Sequence, residues 1–228
     1  MTLTQIRTEI RNITGISSTT VIADSVLNDL INKGQIILAD EANLFRGYAY
    51  RNSVSGTGLY QMTNGNGVTI TTWTKRENAA EASSSNLANM IRIYRVDFDN
   101  EKTSRIGLEQ IHNISNDNSM INMSTSFGYY IDGLNLGIFP KPQKAAQIKV
   151  YYSFLPDTLS SDSDIPMLDT RYHECLVYYG AWKAVERLRD INLIPYFKNE
   201  WNEWKEKVIL DRQRRAGEST FTINYKDF

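Results

Sequence analysis

Hydrophobic residues at the start of the chain recur at helical spacing. Four aliphatic residues share one predicted helix face: Leu3, Ile6, Ile10 and Ile13. Thr2 and Gln5 have the spacing of a capping box, in which each side chain bonds the backbone N–H of the other residue. Gly15 ends the helix, since glycine favours the position after a helix C-terminus.

A second helix is predicted from Asp24, taken as its N-cap, to about Phe45. Its apolar face consists of residues at helical spacing: Leu27, Leu30, Ile31, Ile37 and Leu38. The two segments predict an N-terminal helical hairpin over residues 1–46, which forms part of a larger helical bundle.

Short alternating runs replace the helical spacing over the region 47–164, and this pattern indicates antiparallel β structure. Two β-hairpins are predicted. One joins 59–63 to 68–73 through the turn 64–67, and the other joins 129–131 to 134–139 through Asp132 and Gly133. Further strands are predicted at 90–98 and 148–155. Together they predict a β-rich insert domain with a sandwich or barrel.

Polar stretches interrupt the β region at 74–88, 113–126 and 156–164. They are interpreted as long surface loops, because Ser- and Asn-rich segments between periodic runs are typical of loops. Long loops in a compact domain usually have a function, and contacts with neighbouring subunits are the interpretation favoured for these.

Helical spacing returns after Pro166 and predicts a C-terminal helical hairpin over 165–216 that completes the bundle. One helix carries Trp182 and ends near Asp190. The next one bears an apolar seam at steps of three and four: Ile194, Phe197, Trp201, Trp204 and Val208. The bundle-packing residues are therefore predicted to be Trp182, Phe197, Trp201 and Trp204. The fold class is α+β.

The end of the chain has two features of its own. Arg212, Arg214 and Arg215 close the last helix, where the helix dipole favours cations. An extended tail is predicted over 217–228, because apolar residues alternate with polar ones in Phe221, Ile223 and Tyr225, before the terminal Phe228. Such a segment can add itself to the sheet edge of another chain.

Composition narrows the function classes. The 228 residues are 41% hydrophobic and 22% charged, which fits an ordinary globular protein. Lys and Arg together number 25 against 26 acidic residues, so the chain has no global basic field to hold nucleic acid. No export signal or apolar run of membrane-spanning length is evident, so we expect folding in the cytoplasm and no membrane.

The sequence carries no recognisable catalytic or metal-binding pattern. His173 and Cys175 stand two residues apart, which on a helix places them on different faces, so Cys175 is interpreted as a packing thiol. His112 lacks metal-ligand spacing. We expect no enzyme activity, no cofactor and no metal.

Two acidic runs lack the glycine and distal glutamate of a calcium loop: Asp97, Asp99 and Glu101, and Asp162 with Asp164. Gly56 and Gly58 lack the third glycine of a dinucleotide fingerprint. The arginine cluster has two interpretations, a phosphate or DNA contact and a helix C-terminal cap facing an acidic partner surface.

A pattern in the C-terminal helices resembles the head-to-tail adaptor proteins of tailed bacteriophages. It consists of these residues: Ile165-Pro166, Tyr172-His173, Leu176-Val177, Tyr179, Ala181-Trp182-Lys183-Ala184, Arg189-Asp190, Tyr196 and Trp201. Leu30-Ile31-Asn32 with Ile37 and Ala39 is similar to the long N-terminal helix of those proteins. The order of helices, β insert, helices and tail resembles the adaptors of short-tailed phages, called tail tubular or ring proteins.

The resemblance implies a virion structural protein at the head–tail vertex, repeated twelve-fold in a ring beneath the portal protein. It further implies a distal partner that is the tail nozzle or a second ring, and DNA that passes through the ring without sequence-specific binding. In such proteins the C-terminal tail reaches toward the portal, which makes the tail residues and the three arginines the predicted docking site. A carbohydrate- or receptor-binding tail module and a cell-wall-degrading enzyme are the alternative hypotheses.

Overall fold

A computed structural model of the chain describes residues 1–62, 73–77, 80–84, 87, 89–111 and 127–215. The chain divides into two compact units. A helical unit contains Met1–Leu44 and the chain from Pro156 onward, and a β unit contains Phe45–Leu155. The β unit therefore ends at residue 155, whereas the sequence placed the end of the β insert at 164. Residues 157–167 belong to the helical unit because they bond to its helices.

The first helix, α1 (Leu3–Thr14), begins and ends as its sequence predicts. The Thr2 hydroxyl accepts a hydrogen bond from the Gln5 N–H and the Gln5 side chain accepts one from the Thr2 N–H, which completes the capping box. Gly15 follows the helix with a φ of 70°, in the left-handed region. Leu3, Ile6 and Ile10 are buried. The predicted apolar face is confirmed at these three positions.

The second helix, α2, spans Asp24–Ala42 and ends at Asn43, which adopts a φ of 47°. The prediction of Asp24 as N-cap is wrong. Ala23 occupies the cap position without a side-chain bond, and the Asp24 carboxylate instead accepts a hydrogen bond from Arg11 at 2.7 Å. An ion pair between helices has replaced the local cap.

Two further helices complete the helical unit: a 3₁₀ turn at Thr170–Tyr172 leads into α3 (His173–Arg187), and α4 spans Ile194–Arg215. Both α1 and α2 pack mainly against α3, which makes α3 the centre of the unit. Close approach requires glycine there, because a Cβ on Gly180 would stand 2.3 Å from the Ile10 Cδ1 and one on Gly34 2.8 Å from the Tyr179 ring.

The segment between the β unit and α3 has little regular structure, yet the helices hold it in place. Asn32 bonds both backbone groups of Leu159, donating to its carbonyl at 3.0 Å and accepting from its N–H at 2.9 Å. Gln35 donates to the Asp157 carbonyl and accepts from the Met167 N–H, at 3.2 Å each. The interpretation of 156–164 as a loop is confirmed, and its contact with neighbouring subunits stays a prediction. The interpretation of 74–88 as a loop is wrong, because paired strands form at Trp73–Glu77 and Ala80–Ser84. The third predicted loop, 113–126, lies outside the described residues.

The β unit contains two sheets. The first has six strands in the order β4 (Ala80–Ser84), β3 (Trp73–Glu77), β1 (Arg46–Asn52), β10 (Gln147–Phe154), β5 (Met90–Phe98) and β6 (Glu101–Lys102). The second has four in the order β2 (Leu59–Gln61), β9 (Asn135–Phe139), β8 (Gly128–Asp132) and β7 (Ser104–Arg105). Every described pairing is antiparallel except that of β7 with β8.

The predicted hairpin around Asp132 and Gly133 is confirmed, since β8 and β9 pair antiparallel and Gly133 adopts a φ of 55°. The first predicted hairpin is only partly described. Its residues Leu59–Gln61 pair with β9, and 63–72 lie outside the described residues.

Central strands supply the core of the β unit. The predicted buried face of β10 is confirmed, with Ile148, Val150 and Tyr152 fully buried and Phe154 nearly so. The two sheets meet at Trp73, whose indole N–H donates to the Gln61 carbonyl at 2.9 Å. The fold class is therefore α+β, with helices from both ends of the chain and a central antiparallel β unit.

Candidate assembly surfaces

The first candidate pair, His173 and Cys175, is built for packing. The His173 ring is buried at the start of α3, and its Nε2 donates to the Leu168 carbonyl at 2.8 Å while its Nδ1 lies 2.7 Å from the Met1 amino group. Burial lowers the pKa of His173 and raises that of the Cys175 thiol far above its ordinary value. A fully buried, protonated thiol supports the packing interpretation.

The acidic candidates are engaged in structural contacts. Asp97 pairs with Arg95 at 2.5 Å, and Asp99 pairs with Lys144 at 3.3 Å. Asp164 accepts the N–H groups of Ser160 and Ser161, which lowers its pKa because these bonds favour the charged form. Over the described part of the chain, no group of three His, Cys, Asp or Glu side chains could hold a metal ion.

The remaining sequence candidates fall in three places. Gly56, with a φ of 76°, and Gly58 lie in the loop between β1 and β2. Glu101 forms part of β6 at the edge of the six-stranded sheet. His112 lies outside the described residues.

The predicted packing residues differ in how deeply they are buried in the helical unit. Phe197 and Trp201 are 2% and 3% exposed, and the Trp201 ring lies 4.8 Å from the Tyr179 ring. Trp182 and Trp204 are half-buried at the rim of this core. Lys183 lies 3.8 Å above the Trp182 ring, so a cation covers part of that rim.

The predicted docking residues lie at the far end of α4. Arg212 is half-buried and Arg214 is exposed, and Arg215 is the final residue of the helix. Asp211, next to Arg212 in α4, pairs with Arg171 at 3.5 Å. The tail residues Phe221, Ile223, Tyr225 and Phe228 lie outside the described residues.

Exposed apolar side chains surround the connection between α3 and α4. The sequence analysis did not predict a surface there, although Tyr196 belongs to the adaptor-like pattern. Leu188, Ile191 and Tyr196 are 42%, 78% and 54% exposed, and we call them the tip patch. The connection is ordered by backbone bonds: the Arg189 N–H donates to Glu186 and the Asp190 N–H to Val185, a Schellman pattern with Arg189 at φ 59°. Exposed apolar side chains near one ordered turn make this end of the helical unit a candidate interaction site.

A charge network centred on Arg7 and Arg11 orders the N-terminal helices. Arg7 is 9% exposed and pairs with Asp162 at 2.5 Å, and Arg11 joins Asp24 to the carbonyls of the connecting loop. Arg7 and Arg11 are four residues apart in α1 and therefore share a helix face. That spacing was a signal in the sequence, but the acids that pair with them are distant along the chain.

Comparison with known proteins identifies a family. The family model described as SU10 adaptor protein matches residues 1–220. A search of curated proteins finds no match. Among the described helices, none is long and apolar enough to cross a membrane.

Proposed function

Because the chain belongs to the SU10 adaptor protein family, which makes it a structural protein of the phage head–tail junction, we propose that it is one subunit of a ring beneath the portal protein. In this role the ring joins the capsid to the tail. The observation that carries the proposal is the extent of the match, which includes the helical unit and the β unit alike. The adaptor resemblance of the helix motifs agrees with it.

Ring formation needs a surface for neighbouring subunits, and we assign the tip patch to it. Its three side chains leave apolar area in water that a neighbouring copy would bury, and burial of apolar surface is the main favourable term in association. A closed ring also suits a repeated, heterologous contact between different surfaces of identical subunits. Twelve copies is the number that the sequence resemblance implies.

Portal docking belongs to the C-terminal tail in this proposal. Phe221, Ile223 and Tyr225 alternate with polar residues, so an extended tail would place them together on one face, as in a strand added to a partner's sheet. Arg212 and Arg214 stand just before the tail in α4. They would meet acidic groups on the portal side.

The central opening of such a ring would let DNA pass without gripping it. The net charge of −1 supports this part of the proposal, since a near-neutral subunit creates little attraction for a polyanion. The opposite end of the ring would meet the tail nozzle or a second ring.

The test is binding of the purified chain to the portal protein of the same phage. We expect the full chain to bind and a chain ending at Ala216 to bind at least about tenfold more weakly, the factor that ~1.4 kcal/mol produces. A matched pair of variants separates the two tail faces: Phe221→Ala with Ile223→Ala should weaken binding, and Thr220→Ala with Thr222→Ala should not. Equal binding by the truncated chain would refute tail docking, and no binding by the full chain would refute the adaptor role.

A further inference from the structure

The outer face of the six-stranded sheet carries an array of tyrosines and cations. Tyr48 in β1 stands in register with Tyr151 in β10, which in turn stands in register with Arg95 in β5. Their neighbours Ala49 and Val150 are fully buried, so the alternation of a strand places Tyr48 and Tyr151 on the opposite, outer face.

Cations lie over the rings of this array. The Lys149 Nζ is 4.1 Å from the Tyr48 ring centroid and 5.0 Å from that of Tyr151. The Arg46 guanidinium lies 4.6 Å from the Tyr94 ring, and the Arg95 guanidinium lies 5.5 Å from the Tyr151 ring. Each ring therefore has a positive group on it.

An irregularity in β5 widens the array into a pocket. The register shifts between Tyr151 and Tyr152, so that Tyr94 is an extra residue opposite them. Tyr94 and Arg95 are both exposed although they are adjacent in a strand. Shifts of this kind re-aim side chains and are frequent beside functional sites.

The pocket has a volume of about 290 Å³ and we call it the sheet-face pocket. Its lining consists of two arginines, three tyrosines and one glycine: Arg46, Arg95, Tyr94, Tyr151, Tyr152 and Gly47. The hydroxyl of the fully buried Tyr152 donates to Glu77 at 2.5 Å, so Tyr94 and Tyr151 supply the phenols of the pocket. The Arg95 Nε donates to the nearly buried Asp97 at 2.5 Å, which fixes that guanidinium in place. A fixed guanidinium loses less conformational entropy when it bonds a planar anion.

We propose that the sheet-face pocket receives an aspartate or glutamate side chain of another protein subunit in the phage particle. Two guanidinium groups and two phenols around one pocket offer bidentate and single hydrogen bonds to a carboxylate. Tyrosine and arginine are also the residues enriched in the cores of protein interfaces. The inference goes beyond the adaptor role, because neither the tip patch nor the tail includes this surface.

A protein carboxylate fits this surface better than a nucleic acid does. Cations occupy the ring faces on which nucleobases would stack. The chain as a whole carries a charge of −1, whereas phosphate binding depends on a field from many cations. The covered rings disfavour a sugar-stacking platform for the same reason.

Site-specific cross-linking in assembled particles tests the inference. Arg92→Cys introduces an exposed thiol on β5 beside the pocket, and the fully buried Cys175 leaves it as the reactive site for a benzophenone maleimide. We expect photo-cross-links to another protein chain, at a peptide that contains Asp or Glu. Adding Arg46→Glu should lower the yield about fivefold or more, because a charge reversal places like charges together. Adding Arg105→Glu, an exposed arginine in β7 of the other sheet, should leave it unchanged.

Each alternative outcome would overturn the inference. Cross-links to DNA would assign the pocket to nucleic acid. Cross-links that stay within one chain would leave it without a partner, and a yield unaffected by Arg46→Glu would show that no anion is bound there. Arg46→Gln, a milder change, serves if the charge reversal prevents assembly. None of these readouts depends on portal binding, so a failure here is distinct from a failure of the adaptor role.

Discussion

Replacing Asn32 with alanine should destabilise the helical unit. The Asn32 amide makes two hydrogen bonds to Leu159, at 3.0 Å to its carbonyl and 2.9 Å from its N–H. Leu159 is 6% exposed, so the substitution leaves a backbone donor and acceptor poorly hydrated. At about 1 kcal/mol for each bond, and more where a group is left unsatisfied, the loss is about 2–4 kcal/mol. Alanine has a higher helix propensity than asparagine, which offsets at most about 0.7 kcal/mol of this loss in stability.

Urea unfolding followed by the circular dichroism of the helices measures this change. We expect a lower midpoint for Asn32→Ala, equivalent to about 1.5–3 kcal/mol, and an intermediate value for Asn32→Asp, which keeps the acceptor for the Leu159 N–H and loses the donor. Asn12→Ala is the matched control, because that exposed amide in α1 makes one weak bond to Glu9 at 3.4 Å.

Hydrogen exchange localises the effect. The Leu159 amide should exchange faster in Asn32→Ala than in the wild-type chain, because its acceptor is gone. An unfolding midpoint within about 0.5 kcal/mol of the wild type, with unchanged exchange at Leu159, would refute the idea that α2 holds this segment.

Three further predictions concern the tip patch and the buried groups of α3. Ile191→Asp should prevent ring assembly without lowering the unfolding midpoint, as measured by light scattering and urea titration, because Ile191 is 78% exposed; assembly that persists would contradict the tip assignment. Burial lowers the pKa of His173, so the folded state binds fewer protons than the unfolded state below pH ~6.5. The neutral His173 ring therefore contributes its full stability above that pH, and the contribution is lost as the pH falls below it. His173→Gln should flatten the decline in urea midpoint between pH 7.5 and 5.5. An equally steep decline in the variant would contradict a buried, neutral His173. Cys175 should resist alkylation in the folded chain and react after unfolding, since its thiol is fully buried; reaction with the folded chain, followed by mass spectrometry, would show the opposite.

Local signals predicted the elements whose causes are local. The capping box at Thr2 and Gln5 and the alternation in β10 both depend on neighbours in sequence, and the structure has both. The Asp132–Gly133 hairpin belongs to the same group, because a tight turn fixes its own pairing. The adaptor family was also predicted from helix motifs, and the family match confirms it.

Features that depend on distant residues escaped prediction. Asp24 is a residue type that favours the helix N-cap, but its carboxylate forms ion pairs with Arg11 and Arg7 instead. The pairing of β1 with β10 joins residues about a hundred positions apart, and no local pattern specifies it. The sheet-face pocket arises from that pairing and from a register shift in β5, so neither its arginines nor its tyrosines stood out along the sequence.

Imaging the purified chain together with the portal protein of its phage, by negative-stain electron microscopy, tests the central claim most directly. The proposal predicts a ring of added density on one end of the portal, with class averages that show repeated subunits around the axis. Portal particles without added density, over a range of salt concentrations and with an excess of the chain, would contradict the adaptor role.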